Sequence, residues 1–154
     1  MIDIYSKGEY PANSLSNFAE HPFTLDGVAI ASMEGFLQAL KYRCPKKQTQ
    51  ICSLSGKEAK RAGKRKYLWR MTKTVFWNGQ RLHLLSDELQ ILIDRAYQAM
   101  YEQNLEFQQA LLDTKAEALA HTIGKTRADK TILTEYQFVQ HLYRLRYRQN
   151  NHSQ

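Results

Sequence analysis

Glu34, Gln38 and Lys41 lie within Ser32-Met33-Glu34-Gly35-Phe36-Leu37-Gln38-Ala39-Leu40-Lys41 at helical spacing, so an acid, an amide and an amine share one face. Met33, Phe36, Leu37 and Leu40 are available to bury such a helix, which sets the polar trio at the border of a core instead of in open water. A carboxylate and a lysine held there can do nucleophilic or acid–base chemistry. Burial raises a carboxylate's pKa and lowers an ammonium's, and a close opposite charge does the reverse; the balance decides whether Lys41 is a nucleophile or a counter-ion. Spacing alone leaves open a plainer alternative, a polar stripe closed by a weak salt bridge.

The chain's net charge of +7 is concentrated in one segment. Residues 41–73 carry twelve Lys or Arg against the single acid Glu58, a local net of +11, while the remainder sums to −4. Lys60, Arg61, Lys64, Arg65 and Lys66 form its densest part, a candidate phosphate or nucleic-acid patch. Such a patch attracts polyanions without reading their sequence. A lysine-rich face that only keeps the protein soluble has the same composition.

The elements that must position these groups follow from local signals. Phe23-Thr24-Leu25 and Val28-Ala29-Ile30 flank Asp26-Gly27, a type I′ hairpin signal that pairs Leu25 with Val28 and Phe23 with Ile30. The hairpin leads into the Glu34 helix, N-capped by Ser32 and ending before Pro45. Lys41 then falls near the last turn, where the helix dipole favours its charged form. Ser53-Leu54-Ser55-Gly56 caps a short basic helix through about Lys66, whereas Tyr67–Gln80 gives no clear periodicity beyond an Asn78-Gly79 turn. Ser86-Asp87-Glu88 opens a long helix with Leu89, Leu92, Ile93, Ala96 and Met100 inward and a stop at Asn104. A helix over about Glu106–Asp113, a strand over Leu119–Ile123 and a polar loop over Gly124–Lys130 follow. Thr134-x-x-Gln137 is a capping box for a last helix that buries Phe138, Leu142 and Leu145.

These elements predict an α+β, predominantly helical fold: one domain over residues 1–148 with a small N-terminal β-hairpin, and a polar tail over residues 149–154. No apolar run approaches membrane-spanning length, and Met1-Ile2-Asp3-Ile4-Tyr5 lacks a secretory leader's character, so the expected location is the cytoplasm. Cys44 and Cys52 are too few for a disulfide framework, and five scattered histidines give no metal-ligand spacing; no metal or cofactor is expected.

The ordered series Ser16-Asn17-Phe18, Pro22-Phe23-Thr24-Leu25-Asp26-Gly27, Ser32-x-Glu34, Gln38-Ala39-x-Lys41, Ala59-Lys60-Arg61-Ala62-Gly63, Trp77 and Asn104-x-x-Phe107-x-x-Ala110-Leu111-Leu112-x-Thr114 resembles the NADAR (YbiA-like) family from about Asn13 to Arg146. The resemblance implies an N-glycosidase or ADP-ribosyl hydrolase with catalytic residues Glu34 and Lys41, the amine attacking an anomeric carbon and the acid moving protons. It implies Trp77 as a stacking surface for a base, although a core tryptophan beside Phe76 reads the same. Asn17 with Phe18 and Gln38 would contact substrate, and Asp129 would stand for a late acidic site residue. Two departures bear on the leaving-group pocket: Glu34-Gly35 where many members have Glu-His, and the basic stretch Gly124–Lys130 where they have a glycine-rich Trp-Gly segment.

The basic replacement and the +11 segment favour ADP-ribosylated guanine in DNA as substrate, with an ADP-ribosyltransferase toxin as the partner activity it reverses. The alternatives are a ribosylamino-pyrimidine phosphate of riboflavin synthesis and a non-catalytic module that binds ADP-ribose or nucleic acid.

Overall fold

The computed structural model describes residues 1–152. The chain runs β1 (Ile2–Asp3), α1 (Ala12–Leu15), β2 (Phe23–Leu25), β3 (Val28–Ile30), α2 (Met33–Ala39), α3 (Pro45–Cys52), α4 (Gly56–Lys64), α5 (Leu68–Thr72), β4 (Thr74–Trp77), β5 (Gln80–His83), α6 (Asp87–Gln103), α7 (Leu105–Asp113), β6 (Leu119–Ala120) and α8 (Glu135–His152). It is the α+β, mainly helical arrangement that the sequence predicts.

The β2–β3 hairpin has the predicted register, Leu25 opposite Val28 and Phe23 opposite Ile30, because Asp26 and Gly27 both take positive φ and match the turn to the strand twist. A second hairpin, β4–β5, resolves the Tyr67–Gln80 stretch: Asn78-Gly79 turns it, and Val75 pairs with Leu82 on its buried face. β1 and β6 pair in parallel, Ile2 with Leu119 and Asp3 with Ala120, which fastens the N-terminus to the last third of the chain. The strand expected over Leu119–Ile123 is therefore only two residues long.

α6 supplies the centre of the core through Leu89, Ile93, Ala96 and Tyr97, all without solvent exposure. Ser86 caps it by accepting from the Leu89 amide at 3.2 Å, and Asn104 both ends it and caps α7 by accepting from the Phe107 amide at 3.0 Å. The predicted capping box closes on α8: the Thr134 amide donates to Gln137 Oε1 and the Gln137 amide to Thr134 Oγ1. Phe138, Leu142 and Leu145 point inward from it. α8 continues through His152, so Gln149–His152, expected as tail, are helical; residues 153–154 lie outside the described residues.

α3 has no counterpart in the sequence reading. α2 does end before Pro45, at Ala39, and the fixed φ of the proline starts a new helix. Its buried face, Gln48, Ile51 and Cys52, includes a polar residue, which hid its amphipathicity. Gln48, only 2% exposed, donates from Nε2 to the carbonyls of Ala39 at 3.1 Å and Phe76 at 2.7 Å and accepts from the Asn78 amide at 3.2 Å. It stitches the end of α2 to the β4–β5 hairpin.

Candidate active site

Ser32 fixes the start of α2. Its hydroxyl oxygen accepts from the Gly35 amide at 3.0 Å and donates to the Leu54 carbonyl at 3.0 Å, while the Glu34 amide donates to the Asn17 carbonyl at 2.9 Å. One turn on, Gln38 Nε2 donates to Glu34 Oε1 at 2.7 Å. Gln38 lies so close over Gly63 of α4 that a Cβ there would sit 1.5 Å from Gln38 Oε1; only glycine leaves that space. Lys41 is beyond the last helical residue, its amide donating to the Gln38 carbonyl at 3.1 Å, and its Nζ stands 4.9 Å from the centroid of the Trp69 ring. Among the described residues, no ion pair within 4.0 Å joins Glu34 to Lys41. The salt-bridged stripe is not what forms.

Glu34, Gln38 and Lys41 open on one cleft of about 770 Å³. Burial lowers the Lys41 ammonium to about 8, against the opposing pull of Glu34 and with the help of Arg70 and Lys125. Burial likewise raises the Glu34 carboxyl, outweighing the Gln38 hydrogen bond and the Lys41 charge that pull it down. Desolvation thus wins over the dipole and the counter-charge at both groups, and each moves toward its neutral form.

The other charged residues of the cleft wall are cations. α4 contributes Lys60 and Lys64, the α4–α5 link Lys66, α5 Arg70, the N-terminal segment Lys7, and the loop before α8 Lys125 and Lys130. Glu34 is the one carboxylate among the lining residues. Such a ring suits a ligand with more than one negative charge. Groups of three or more His, Cys, Asp or Glu able to hold a metal do not occur among the described residues.

Asn17, Phe18, Glu34, Gln38 and Lys41 line this cleft, and Lys60, Lys64 and Lys66 of the separately expected basic patch line it too; Arg61 and Arg65 are exposed but do not line it. Trp77 does not belong to it. On β4 its ring is 4% exposed, edge-on to Phe36 with centroids 5.0 Å apart, and its indole N–H donates to Asp26 Oδ2 at 2.8 Å. It borders a separate cleft of about 340 Å³ with Asp26 and Arg95. Asp129 is also off the lining: its carboxylate accepts from Arg127 at 2.8 and 3.1 Å.

Trp69 is the tryptophan that lines the cleft, with Lys41 and Arg70 over its ring. The sequence signal for it was the alternation of aromatic and basic residues in Lys66-Tyr67-Leu68-Trp69-Arg70, which helical periodicity passes over. His121 is the other residue missed. It lines the cleft while its Nδ1 bonds the Ile4 carbonyl at 2.6 Å, so a neutral ring carries its proton there and leaves Nε2 as acceptor. Gly35, the first departure from the family pattern, faces away from the cleft: a Cβ at that position would stand 2.6 Å from the Leu54 carbonyl oxygen.

Helices wrapped on three two-stranded sheets among the described residues define a YbiA-like α+β fold. The NMR structure of YbiA from Escherichia coli has this fold, with a TM-score of 0.62, 21% identity and coverage of 99% of this chain and 89% of that one. Sequence similarity narrows the class, for residues 9–147 match the family described as Bacteriophage protein GP30.3. The chain belongs to that family. A relative from Enterobacteria phage T4, an uncharacterized 17.1 kDa protein of the Gp30-rIII intergenic region, is 37% identical over 147 residues, spanning 94% of this chain and 96% of the relative.

Proposed function

We propose that this protein is an N-glycosidase that hydrolyses the N-glycosidic bond of ADP-ribosylated guanine in DNA and releases ADP-ribose, reversing the work of an ADP-ribosyltransferase. The observation that carries the reading is Lys41, an amine brought to about 8 by burial, beside a carboxyl raised by burial, in a cleft whose other charges are all positive. The cations suit a diphosphate.

The chemistry balances on these two groups. Neutral Lys41 attacks the anomeric carbon, the carbon–nitrogen bond to guanine breaks, and Glu34 in its acid form protonates the departing nitrogen. The resulting carboxylate removes a proton from the new C–Nζ ammonium and passes it to the ring oxygen, which opens the ribose and leaves an iminium. Water, deprotonated by Glu34, adds to that carbon; proton exchange through Glu34 then releases the aldehyde form of ADP-ribose and restores the amine.

The test is release of ADP-ribose from guanine-ADP-ribosylated DNA by the wild type, Glu34→Ala and Lys41→Ala at one ionic strength. Release by the wild type and its loss in both variants is the expected result. A folded wild type that releases nothing overturns the DNA assignment and passes the glycosidase reading to a ribosylamino-pyrimidine phosphate.

A further inference from the structure

The link between α4 and α5, together with α5 itself, leaves three large apolar side chains in solvent: Tyr67 at 66%, Leu68 at 60% and Met71 at 76% exposure. They alternate with Arg65, Lys66 and Arg70, none of which is in an ion pair with an acid among the described residues. Two of these cations lie over aromatic rings, Lys66 at 5.0 Å from the Tyr42 centroid and Arg70 at 5.5 Å from that of Trp69. Tyr67, Lys66 and Arg70 also line the cleft, so the exposed rim is continuous with the site of Glu34 and Lys41.

We infer that this rim binds single-stranded nucleic acid, seating the nucleotides that flank the one in the cleft. Cations interleaved with exposed apolar faces match a strand that offers phosphates and unstacked bases together. A duplex offers the phosphates but keeps its base faces stacked inside, leaving Tyr67, Leu68 and Met71 nothing to cover. An anionic membrane could also take an apolar rim flanked by cations. The continuity with the cleft favours the strand, because only a strand threads a nucleotide past Tyr67 to Lys41. The inference rests on the nucleic-acid reading of the cleft and adds a strandedness requirement that the glycosidase chemistry does not impose.

The test measures binding of an unmodified, fluorescein-labelled single-stranded oligonucleotide of about twelve nucleotides, within the span of common single-strand sites. Because it involves no turnover, its outcome is independent of whether the protein releases ADP-ribose. Tyr67→Ser/Leu68→Ser/Met71→Ser, which leaves charge and core intact, is expected to weaken binding about tenfold or more with an unchanged salt slope. Arg65→Ser/Lys66→Ser is expected to flatten that slope, by about 0.7 for each charge lost. Tyr67→Trp, which enlarges the stacking face, is expected to tighten binding. Circular dichroism checks that each variant is folded. Equal affinity of the triple variant, duplex binding as tight as single-strand binding, or phosphatidylglycerol vesicles captured by the wild type and lost by the triple variant would each overturn the proposal.

Discussion

Tyr97 donates its phenol hydrogen to Asn17 Oδ1 at 2.7 Å, from a ring with no solvent exposure, across 80 residues of sequence. The ring is held by stacking on His141, with centroids 4.6 Å apart and planes 12° from parallel. With its oxygen taken, the Asn17 amide has its NH₂ as the group left to offer a substrate, and Asn17 lines the cleft. α6 thus reaches through the core to orient a side chain beside Glu34.

Tyr97→Phe keeps the ring and removes the donor. The expected outcome is a KM raised by about five- to tenfold, the value of one hydrogen bond of about 1 kcal/mol, with kcat within about twofold. Steady-state kinetics on the modified DNA separates this from a structural loss, which would lower the active fraction and leave KM unchanged.

Lys41 gives two pH-dependent outcomes. With Lys41 needed as the free amine and Glu34 as the acid, kcat/KM is expected to be bell-shaped in pH, the Lys41 amine setting one limb at about 8 and the Glu34 carboxyl the other. For stability, the folded pKa lies below lysine's ordinary 10.5, so between 8 and 10.5 the unfolded chain binds more protons. Burying the ammonium therefore costs stability most below pH 8, and the cost fades as pH rises to 10.5. Lys41→Met is expected to melt higher than wild type at pH 7, with the gap closing across that window in thermal scans. Borohydride added with substrate is expected to trap a covalent adduct on Lys41, read by peptide mass spectrometry.

Glu34→Gln preserves an oxygen for Gln38 Nε2 and removes the titrating proton. kcat is expected to fall by about 10²- to 10⁴-fold, the usual worth of a positioned acid or base, while affinity for free ADP-ribose changes little. Calorimetric titration of ADP-ribose into the variant checks the second half.

The two tryptophans are expected to behave oppositely. Trp69→Leu removes the ring that Lys41 and Arg70 pack over, loosens Lys41 and lowers kcat/KM by about tenfold or more. Trp77→Phe loses the bond to Asp26 and lowers stability by about 1.5–3 kcal/mol, with activity per folded molecule preserved. Denaturant melts alongside kinetics distinguish the pair.

Gly35→His installs the residue many NADAR members carry. In this chain its Cβ would meet backbone, the Leu54 carbonyl oxygen at 2.6 Å, so α2 must move from the loop that Ser32 holds. A loss of about 1–3 kcal/mol in urea unfolding is the expected outcome.

Local interactions made much of this protein legible in its sequence. The β2–β3 register, the Ser32, Ser86 and Asn104 caps and the Thr134–Gln137 box are each set within a few residues, and the Glu34, Gln38 and Lys41 trio needed only one helix and the turn that follows it. α3 was hidden because Gln48 meets partners on two other elements, and a polar residue that is satisfied only across space reads as exposed. Which tryptophan faces the cleft could not be read either. Trp69 and Trp77 are both buried and both beside basic or aromatic neighbours; the strand pairing that turns Trp77 toward Asp26 and Phe36, and the short helix that sets Trp69 under Lys41, exist only in the folded chain. Sequence by itself determined the chemistry at hand, an amine and an acid on one short segment. Tertiary structure decided its state, because desolvation depends on every element that closes over the cleft, and that closure leaves Lys41 at about 8.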